Sequence, residues 1–207
     1  MRYVGSKNKL SKDLAPIIQS YITDDTNGYL EPFVGGANMI DKIKHKKRIG
    51  CDIHKQLIEL LKYAQEHETE LPERILENEY KEVQQNKENY PDWYLGLVGF
   101  CASFGAKYFG GYARDSKGDN SGKWSAGAIR NLKKQIPNIK DVKFINLNFY
   151  LIYVNNFSTL ILFLSSLFLL LSNNVLVSFC QMQVKSSGIE YSLIKTVLFM
   201  LATFTHS

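Results

Sequence analysis

Two glycines and an acid in the first quarter of the chain have the residue types and spacing of a nucleotide site. Gly35 and Gly36 follow an apolar run that ends at Val34, and Asp52 follows a short strand predicted over 48–51. Glycine has no Cβ, so its backbone can approach a ligand closely and adopt a positive φ. An acid at the tip of the next strand can accept hydrogen bonds from a ribose, and its spacing resembles the gap of ~20 residues in nucleotide-binding α/β folds. A Gly-Gly pair between a strand and a helix is also typical of an ordinary turn, so these residues alone leave both interpretations open.

Apolar periodicity predicts alternating strands and helices around these residues. Ser11 is the expected N-cap of the first helix, and Pro32 should lie at the end of the first strand because it has no backbone N–H to donate. Pro137 is expected to end the last predicted helix. The predicted elements are helices over 10–21, 37–43, 54–65, 72–89, 93–102 and 129–135, and strands over 29–33, 48–51, 141–147 and 151–154.

Composition bounds the class of protein only loosely. The 207 residues suffice for one domain or for one domain with an insertion. The net charge of +5 is compatible with a nucleic-acid partner without requiring one. The three cysteines have neither zinc-site spacing nor a disulfide pattern, so we expect a reducing cytoplasm and no metal. No apolar signal segment opens the sequence, so no secretory signal is expected.

Glycines alternate with basic and aromatic side chains over residues 104–124. Basic groups can contact phosphates, and aromatic rings can stack on bases. An ordinary long loop can have the same composition, so the composition of this stretch does not decide between a nucleic-acid contact and a plain loop.

Four segments carry a family resemblance. They are Y-V-G-S-K at 3–7, E-P-F-V-G-G at 31–36, C-D-I at 51–53, and the glycine- and aromatic-rich stretch at 99–114. In this order they resemble the Dam-like class of adenine-specific (N6) DNA methyltransferases, of the phage or restriction-modification type. The resemblance covers roughly residues 1–153.

The resemblance implies an α/β, Rossmann-like methyltransferase fold with a mostly helical DNA-recognition insertion. Residues 1–66 plus 139–207 would form the methyltransferase domain and residues 67–138 the insertion. Because the resemblance stops near residue 153, we expect the part from about residue 151 to be truncated or aberrant. The implied cofactor is S-adenosyl-L-methionine, the implied substrate is adenine in double-stranded DNA, and we expect a monomer that is not attached to a membrane.

The resemblance also implies roles for individual residues, with Asp52 at the cofactor's ribose and the charge of Lys7 near its carboxylate or the strand tips. Arg114 is the expected contact to a base edge or a phosphate, because its guanidinium can bond bidentately. The implied cofactor-binding residues are Tyr3, Lys7, Glu31, Pro32, Phe33, Gly35, Gly36 and Asp52. The implied DNA-binding residues are Lys107, Tyr112, Arg114, Lys117 and Lys123.

The resemblance breaks where the family's catalytic motif, [DNS]-P-P-[YFW], should follow a strand. The strand predicted over 151–154 continues into Asn155-Asn156-Phe157, without a Pro-Pro pair. In the family, the first side chain and a proline carbonyl accept hydrogen bonds from the exocyclic amine of a flipped adenine. Asn155 is the candidate for that first position and Phe157 for the aromatic one, although the rigid turn between them is missing.

The sequence beyond residue 150 differs in amino-acid composition from the rest. No charged residue occurs between Lys143 and Lys185, and all five prolines precede residue 138. A membrane span near 157–177, a buried core segment and a reading-frame change are three competing explanations. We hypothesise the frame change; the absence of a D-P-P-Y-like tetrapeptide in the other frames of the gene would contradict it. A non-catalytic cofactor and DNA binder is the alternative to an active enzyme.

Overall fold

The computed structural model describes residues 1–114 and 121–147, together with the backbone of two short strands at 161–163 and 181–182. The candidates Lys117 and Asn155 lie outside the described residues, as do the strand predicted over 151–154 and nearly all of the segment 157–177, for which a membrane span was one of three competing explanations. Within the described part of the chain, no helix combines the length and the hydropathy that crossing a membrane requires.

A five-stranded sheet forms the centre of the fold, in the order β3-β2-β1-β4-β5. The first four strands in this order are parallel, and β5 is antiparallel to β4. All three residues of β1 are buried, as expected for the middle strand of a parallel sheet that is covered on both faces. The strands are β1 Tyr29–Glu31, β2 Arg48–Asp52, β3 Lys143–Asn146, β4 Ile161–Phe163 and β5 Gln181–Met182.

Five helices accompany the sheet within the described residues: α1 Ser11–Ser20, α2 Lys55–Glu66, α3 Glu77–Gln85, α4 Asp92–Gly96 and α5 Lys123–Ile139. A π-helical turn, Leu97–Cys101, continues α4. Short 3-10 turns lie at Ile40–Lys42, Glu68–Glu70, Lys87–Asn89 and Phe104–Ala106. The apolar side of α2 is fully buried and packs against α4, β3 and α5, so this helix joins the sheet to the segments that follow it.

The first three strands and α2 confirm the periodicity argument, since each lies at its predicted place. The helix predicted over 37–43 is wrong, because only the 3-10 turn at Ile40–Lys42 forms. Ala37 has φ = 57°, a left-handed conformation that a right-handed helix cannot continue. The Asn38 side chain is also engaged elsewhere, since its Nδ2 donates to the Met1 carbonyl at 2.8 Å and to Ser6 Oγ at 2.9 Å.

Two predicted helix ends are also corrected. Ser11 is the first residue of α1 rather than its N-cap, and its hydroxyl donates to the Asn8 carbonyl at 2.9 Å. Pro137 lies inside α5, which begins six residues earlier than predicted and continues to Ile139. Proline removes one hydrogen bond from a helix. The burial of Ile136 and Ile139 compensates for this loss, because it ties the last turn to the core.

Candidate functional site

Tyr3, Gly35 and Asp52 meet at the carboxyl ends of β1 and β2. The Gly35 N–H donates to Asp52 Oδ2 at 3.0 Å. Gly35 has φ = 49°, and a Cβ placed on it would lie only 2.9 Å from Cδ1 of Tyr3. The structure therefore brings together three residues that are far apart in the sequence, at the edge where parallel α/β sheets bind ligands.

The Asp52 carboxylate is held in a fixed orientation. Asp52 is 8% exposed, and its Oδ1 accepts a hydrogen bond from the His54 N–H at 3.0 Å. The Asn146 side chain on β3 donates to the carbonyl oxygens of Asp52 and Ile53 at 3.0 and 2.9 Å. Each carboxylate oxygen has about two acceptor positions, so each retains one after bonding a backbone N–H. This arrangement suits an acceptor for two neighbouring hydroxyl groups.

A buried ion pair ties the N-terminal segment to the end of β1. Lys7 Nζ lies 2.9 Å from Glu31 Oε1, and the two side chains are 7% and 0% exposed. Lys7 also donates to the Phe33 carbonyl, just beyond Pro32, which is buried. Desolvating two charges is unfavourable unless the pairing is close. In this structure the charge of Lys7 is thus directed at Glu31, which holds Tyr3 and Lys7 beside the strand end.

Tyr3 is a half-buried, neutral phenol. Burial, together with the nearby negative charge of Asp52, raises the pKa of Tyr3 to about 12. The ring lies 5.5 Å from that of Phe100, which belongs to the π-helical turn. At neutral pH the side chain can therefore stack or donate a hydrogen bond, but it cannot act as a base.

His54 was missed as a candidate and lies beside the same carboxylate. Its ring contacts the rings of Phe100 and Tyr108 edge-on, at centroid distances of 4.9 and 4.5 Å. Burial lowers the pKa of His54, although Asp52 opposes this shift. Its Nδ1 is buried without a hydrogen-bond partner among the described residues. In the sequence, only its position two residues after Asp52 indicates that His54 lies near the site.

The glycine turn is held from its other side by α5. Gln135 Nε2 donates to the carbonyl oxygens of Gly36 and Ala37 at 3.1 and 2.7 Å. A Cβ placed on Gly36 would lie 2.9 Å from Asn38 Nδ2 and 3.1 Å from the Met1 carbonyl oxygen. Gly36 is therefore required by close packing within the protein itself.

Arg114 is engaged in an ion pair that the sequence did not indicate. Its Nε donates to Glu77 Oε2 at 3.0 Å, and its Nη2 donates to Glu77 Oε1. Hydrogen bonds from Arg114, and then from Lys81, lower the pKa of Glu77 to about 2. The guanidinium that we expected at DNA thus bonds a carboxylate in this structure, while half of the Arg114 side chain stays exposed.

The remaining described DNA candidates differ in exposure. Tyr112 is half-buried, and its hydroxyl donates to the Ile75 carbonyl at 3.0 Å. Lys107 and Lys123 are exposed, one before and one after the segment 115–120 in the sequence. Their contact with DNA stays a prediction.

Comparison with known proteins decides the family. A family model described as D12 class N6 adenine-specific DNA methyltransferase matches residues 3–163, which is more than half of the chain. The chain belongs to this family. The predicted resemblance is thereby confirmed, and it extends ten residues further than expected. No curated protein sequence matches the chain.

The end of the match to the methyltransferase family coincides with the end of β4. Both stop at residue 163. β4 is the strand that pairs with β1 on the side opposite β2, and it lies later in the chain than the strand predicted over 151–154. No proline follows β4 in the sequence, so the family's Pro-Pro catalytic turn is absent after this strand as well.

A tight turn at 103–112 presents an exposed aromatic ring on this chain. Ser103 and Tyr112 form an antiparallel bridge, and the Phe104 N–H donates to the Gly111 carbonyl at 2.8 Å. The non-glycine residues Ala106 and Phe109 have φ of 55° and 47°. Such conformations persist where the surrounding structure imposes them. Phe104 lies in this turn with 73% of its surface exposed.

Proposed function

We propose that this methyltransferase binds S-adenosyl-L-methionine at the carboxyl ends of β1 and β2 and acts on adenine in duplex DNA. The supporting observation is the junction of Tyr3, Gly35 and Asp52. Its parallel strand ends and ordered acid match the Rossmann-like arrangement for a nucleoside. When bound, the cofactor supplies an electrophilic methyl group on its sulfonium.

The residues at this junction fit such a cofactor. Asp52 keeps one acceptor position on each oxygen, which suits the two hydroxyl groups of a ribose. Tyr3 covers Gly35 with its ring, so this ring rather than the glycine offers the contact surface for the nucleoside. The Lys7–Glu31 ion pair keeps the segment that carries Tyr3 beside the strand ends. In this proposal Lys7 positions the site and does not reach the cofactor itself.

Calorimetric titration with S-adenosyl-L-methionine tests the proposal. Asp52→Asn keeps the size of the side chain and removes its charge, and hydrogen bonds to a charged group contribute about 1.5–3 kcal/mol each. We therefore expect affinity to fall by at least ~10-fold. Asp25→Asn, at an exposed position in the loop before β1, is the matched control and should bind as the wild type does. Equal binding by Asp52→Asn and wild type would contradict the proposed ribose contact.

A second candidate function, cofactor and DNA binding without methyl transfer, follows from the missing tetrapeptide. All prolines of the sequence precede residue 138, so no Pro-Pro carbonyl is available to orient the adenine amine. Asn155 is the one acceptor proposed for that amine. Methyl transfer converts the sulfonium to a thioether and adds the methyl to N6, which releases a proton.

Incubation of the full chain with tritiated cofactor and an adenine-containing duplex separates the two functions. Label in DNA above the background of a duplex already methylated at N6 would establish catalysis, and its loss in Asn155→Ala would assign that residue. Calorimetric binding of the cofactor without incorporation of label would establish the non-catalytic function.

A further inference from the structure

A cleft of about 780 Å³ lies between the N-terminal segment, the turn at 103–112 and α5. We name it the α5 cleft. Tyr3 is one of its lining residues, whereas Gly35 and Asp52 do not line it. The α5 cleft is therefore a neighbour of the proposed cofactor site and not the same site.

One face of α5 lines the cleft along most of the helix. The lining residues of α5 recur every three or four positions, the spacing of a single helix face. At a rise of 1.5 Å per residue, the 14 steps from Trp124 to Asn138 span about 21 Å. Duplex DNA rises 3.4 Å per base pair, so this face is about as long as six base pairs. The principal lining residues on this face are Trp124, Ala128, Asn131, Gln135 and Asn138.

The charge of the α5 cleft is positive. Its basic lining residues are Arg2, Lys9, Lys42 and Lys134, and Asp41 is the one acid among the lining residues that the structure describes. Asp41 is already bonded to Lys42 Nζ at 2.9 Å and to Gln135 Nε2 at 3.0 Å. No ion pair within the described part of the chain engages Arg2, Lys9 or Lys134, and all three are exposed. These three cations are available for an anionic ligand.

Arg2 and Trp124 connect the two walls of the cleft. The guanidinium carbon of Arg2 lies 4.9 Å from the centroid of the Trp124 ring, a cation–π contact between the N-terminal segment and α5. A stacked guanidinium keeps the N–H groups at its edge directed outwards, where they match the oxygens of a phosphate. Asn131 and Asn138 add amide donors along the same face.

We propose that the α5 cleft binds the phosphodiester backbone of duplex DNA that flanks the target adenine, with Arg2, Lys9 and Lys134 at the phosphates. This inference rests on the proposed DNA substrate. It adds the N-terminal segment and the middle of α5 to the contacts expected at 107–123. Arg2 stacks on Trp124, and Lys134 lies ten residues further along α5, which is about 15 Å along the helix axis. This separation favours a nucleic-acid strand, because a small anion would need the cations to converge on one point.

Salt-dependent binding of DNA tests the assignment. Anisotropy of the full chain with a fluorescent 30-base-pair duplex gives the slope of log K against log salt. Each lost phosphate contact lowers the magnitude of this slope by about 1. We expect this change and roughly tenfold weaker binding for Lys134→Gln and for Lys9→Gln, since each removes a charge-assisted hydrogen bond. Lys134→Arg should retain the wild-type slope.

Lys140→Gln is the matched control, because Lys140 follows α5 and is exposed but does not line the cleft. Its slope should equal that of the wild type. An equal loss in Lys140→Gln and Lys134→Gln would overturn the proposal, since it would mean that only net charge matters.

The variant Lys107→Gln separates a failure of the cleft assignment from a failure of the proposed DNA substrate. Weaker binding by this variant, with wild-type behaviour of Lys9→Gln and Lys134→Gln, would overturn the cleft assignment and leave DNA binding intact. A wild-type chain that binds no duplex at any salt concentration would overturn both. Calorimetric titration of Lys134→Gln with the cofactor should match the wild type, because Lys134 lies outside the junction of Tyr3, Gly35 and Asp52.

Discussion

The contact of the Tyr3 ring with Gly35 leads to a sharp prediction for Gly35→Ala. The new Cβ would lie 2.9 Å from Cδ1 and 3.0 Å from Cε1 of Tyr3, closer than carbon atoms pack. The alanine would also have to adopt φ = 49°. Gly105 has φ = 62°, and a Cβ added there would meet no atom within 4 Å, so Gly105→Ala carries the backbone penalty alone.

The two penalties have separate magnitudes. A left-handed conformation costs an alanine about 1–2 kcal/mol. Overpacking adds about 1–3 kcal/mol. We therefore expect Gly35→Ala to lower the free energy of unfolding by about 2–5 kcal/mol, and Gly105→Ala by about 1–2 kcal/mol. Urea denaturation followed by circular dichroism measures both.

A double-mutant cycle isolates the clash. In a Tyr3→Ala background the ring is gone, so the cost of Gly35→Ala should fall to that of Gly105→Ala. Calorimetry should also show weaker cofactor binding by Gly35→Ala, since the ring must move. The reasoning is refuted if Gly35→Ala is no more destabilising than Gly105→Ala, or if Tyr3→Ala leaves the cost of Gly35→Ala unchanged.

Three further predictions concern other contacts. Lys7→Met removes the cation facing the buried carboxylate of Glu31 and should lower the free energy of unfolding by about 3–5 kcal/mol in urea; a loss below ~1 kcal/mol would contradict a structural ion pair. The pKa of Glu77 falls from 4.5 to about 2, so its pairing with Arg114 stabilises the folded state above pH 4.5 and loses this effect as the pH falls towards 2. The difference in melting temperature between wild type and Glu77→Gln should shrink over that range; a constant difference would refute the linkage. Phe104→Ala should leave the melting temperature unchanged, because the ring is 73% exposed. It should weaken duplex binding roughly tenfold in anisotropy titrations, because an exposed aromatic ring can stack on a base. A lower melting temperature with unchanged binding would show a packing role instead.

The centre of the fold could be predicted from the sequence because its signals are local. The apolar spacing of α2 gives its buried side directly, and the burial of Leu57 and Leu61 agrees with it. The proximity of Gly35 and Asp52 follows from a topological rule, since neighbouring parallel strands end at the same edge of the sheet. These two arguments suffice to place the candidate site.

Contacts between distant segments could not be predicted in the same way. Arg114 and Glu77 are 37 residues apart, and nothing in either neighbourhood indicates their pairing. The left-handed conformation of Ala37, which removes a predicted helix, is imposed by packing rather than by the preference of alanine. The cleft along α5 depends on a helix that continues past Pro137, where the local rule predicts an end.

Helix α5 lines the cleft and also contacts the glycine turn, which matters for the design of chimeric proteins. Gln135 holds the carbonyl groups of Gly36 and Ala37, although it belongs to the segment 67–138 that the sequence assigned to recognition. A chimera that exchanges residues 67–121 and keeps α5 retains the hydrogen bonds of Gln135 to the glycine turn. A chimera that exchanges the segment up to residue 138 also replaces Gln135, so an exchange intended to alter target choice would disturb the glycine turn.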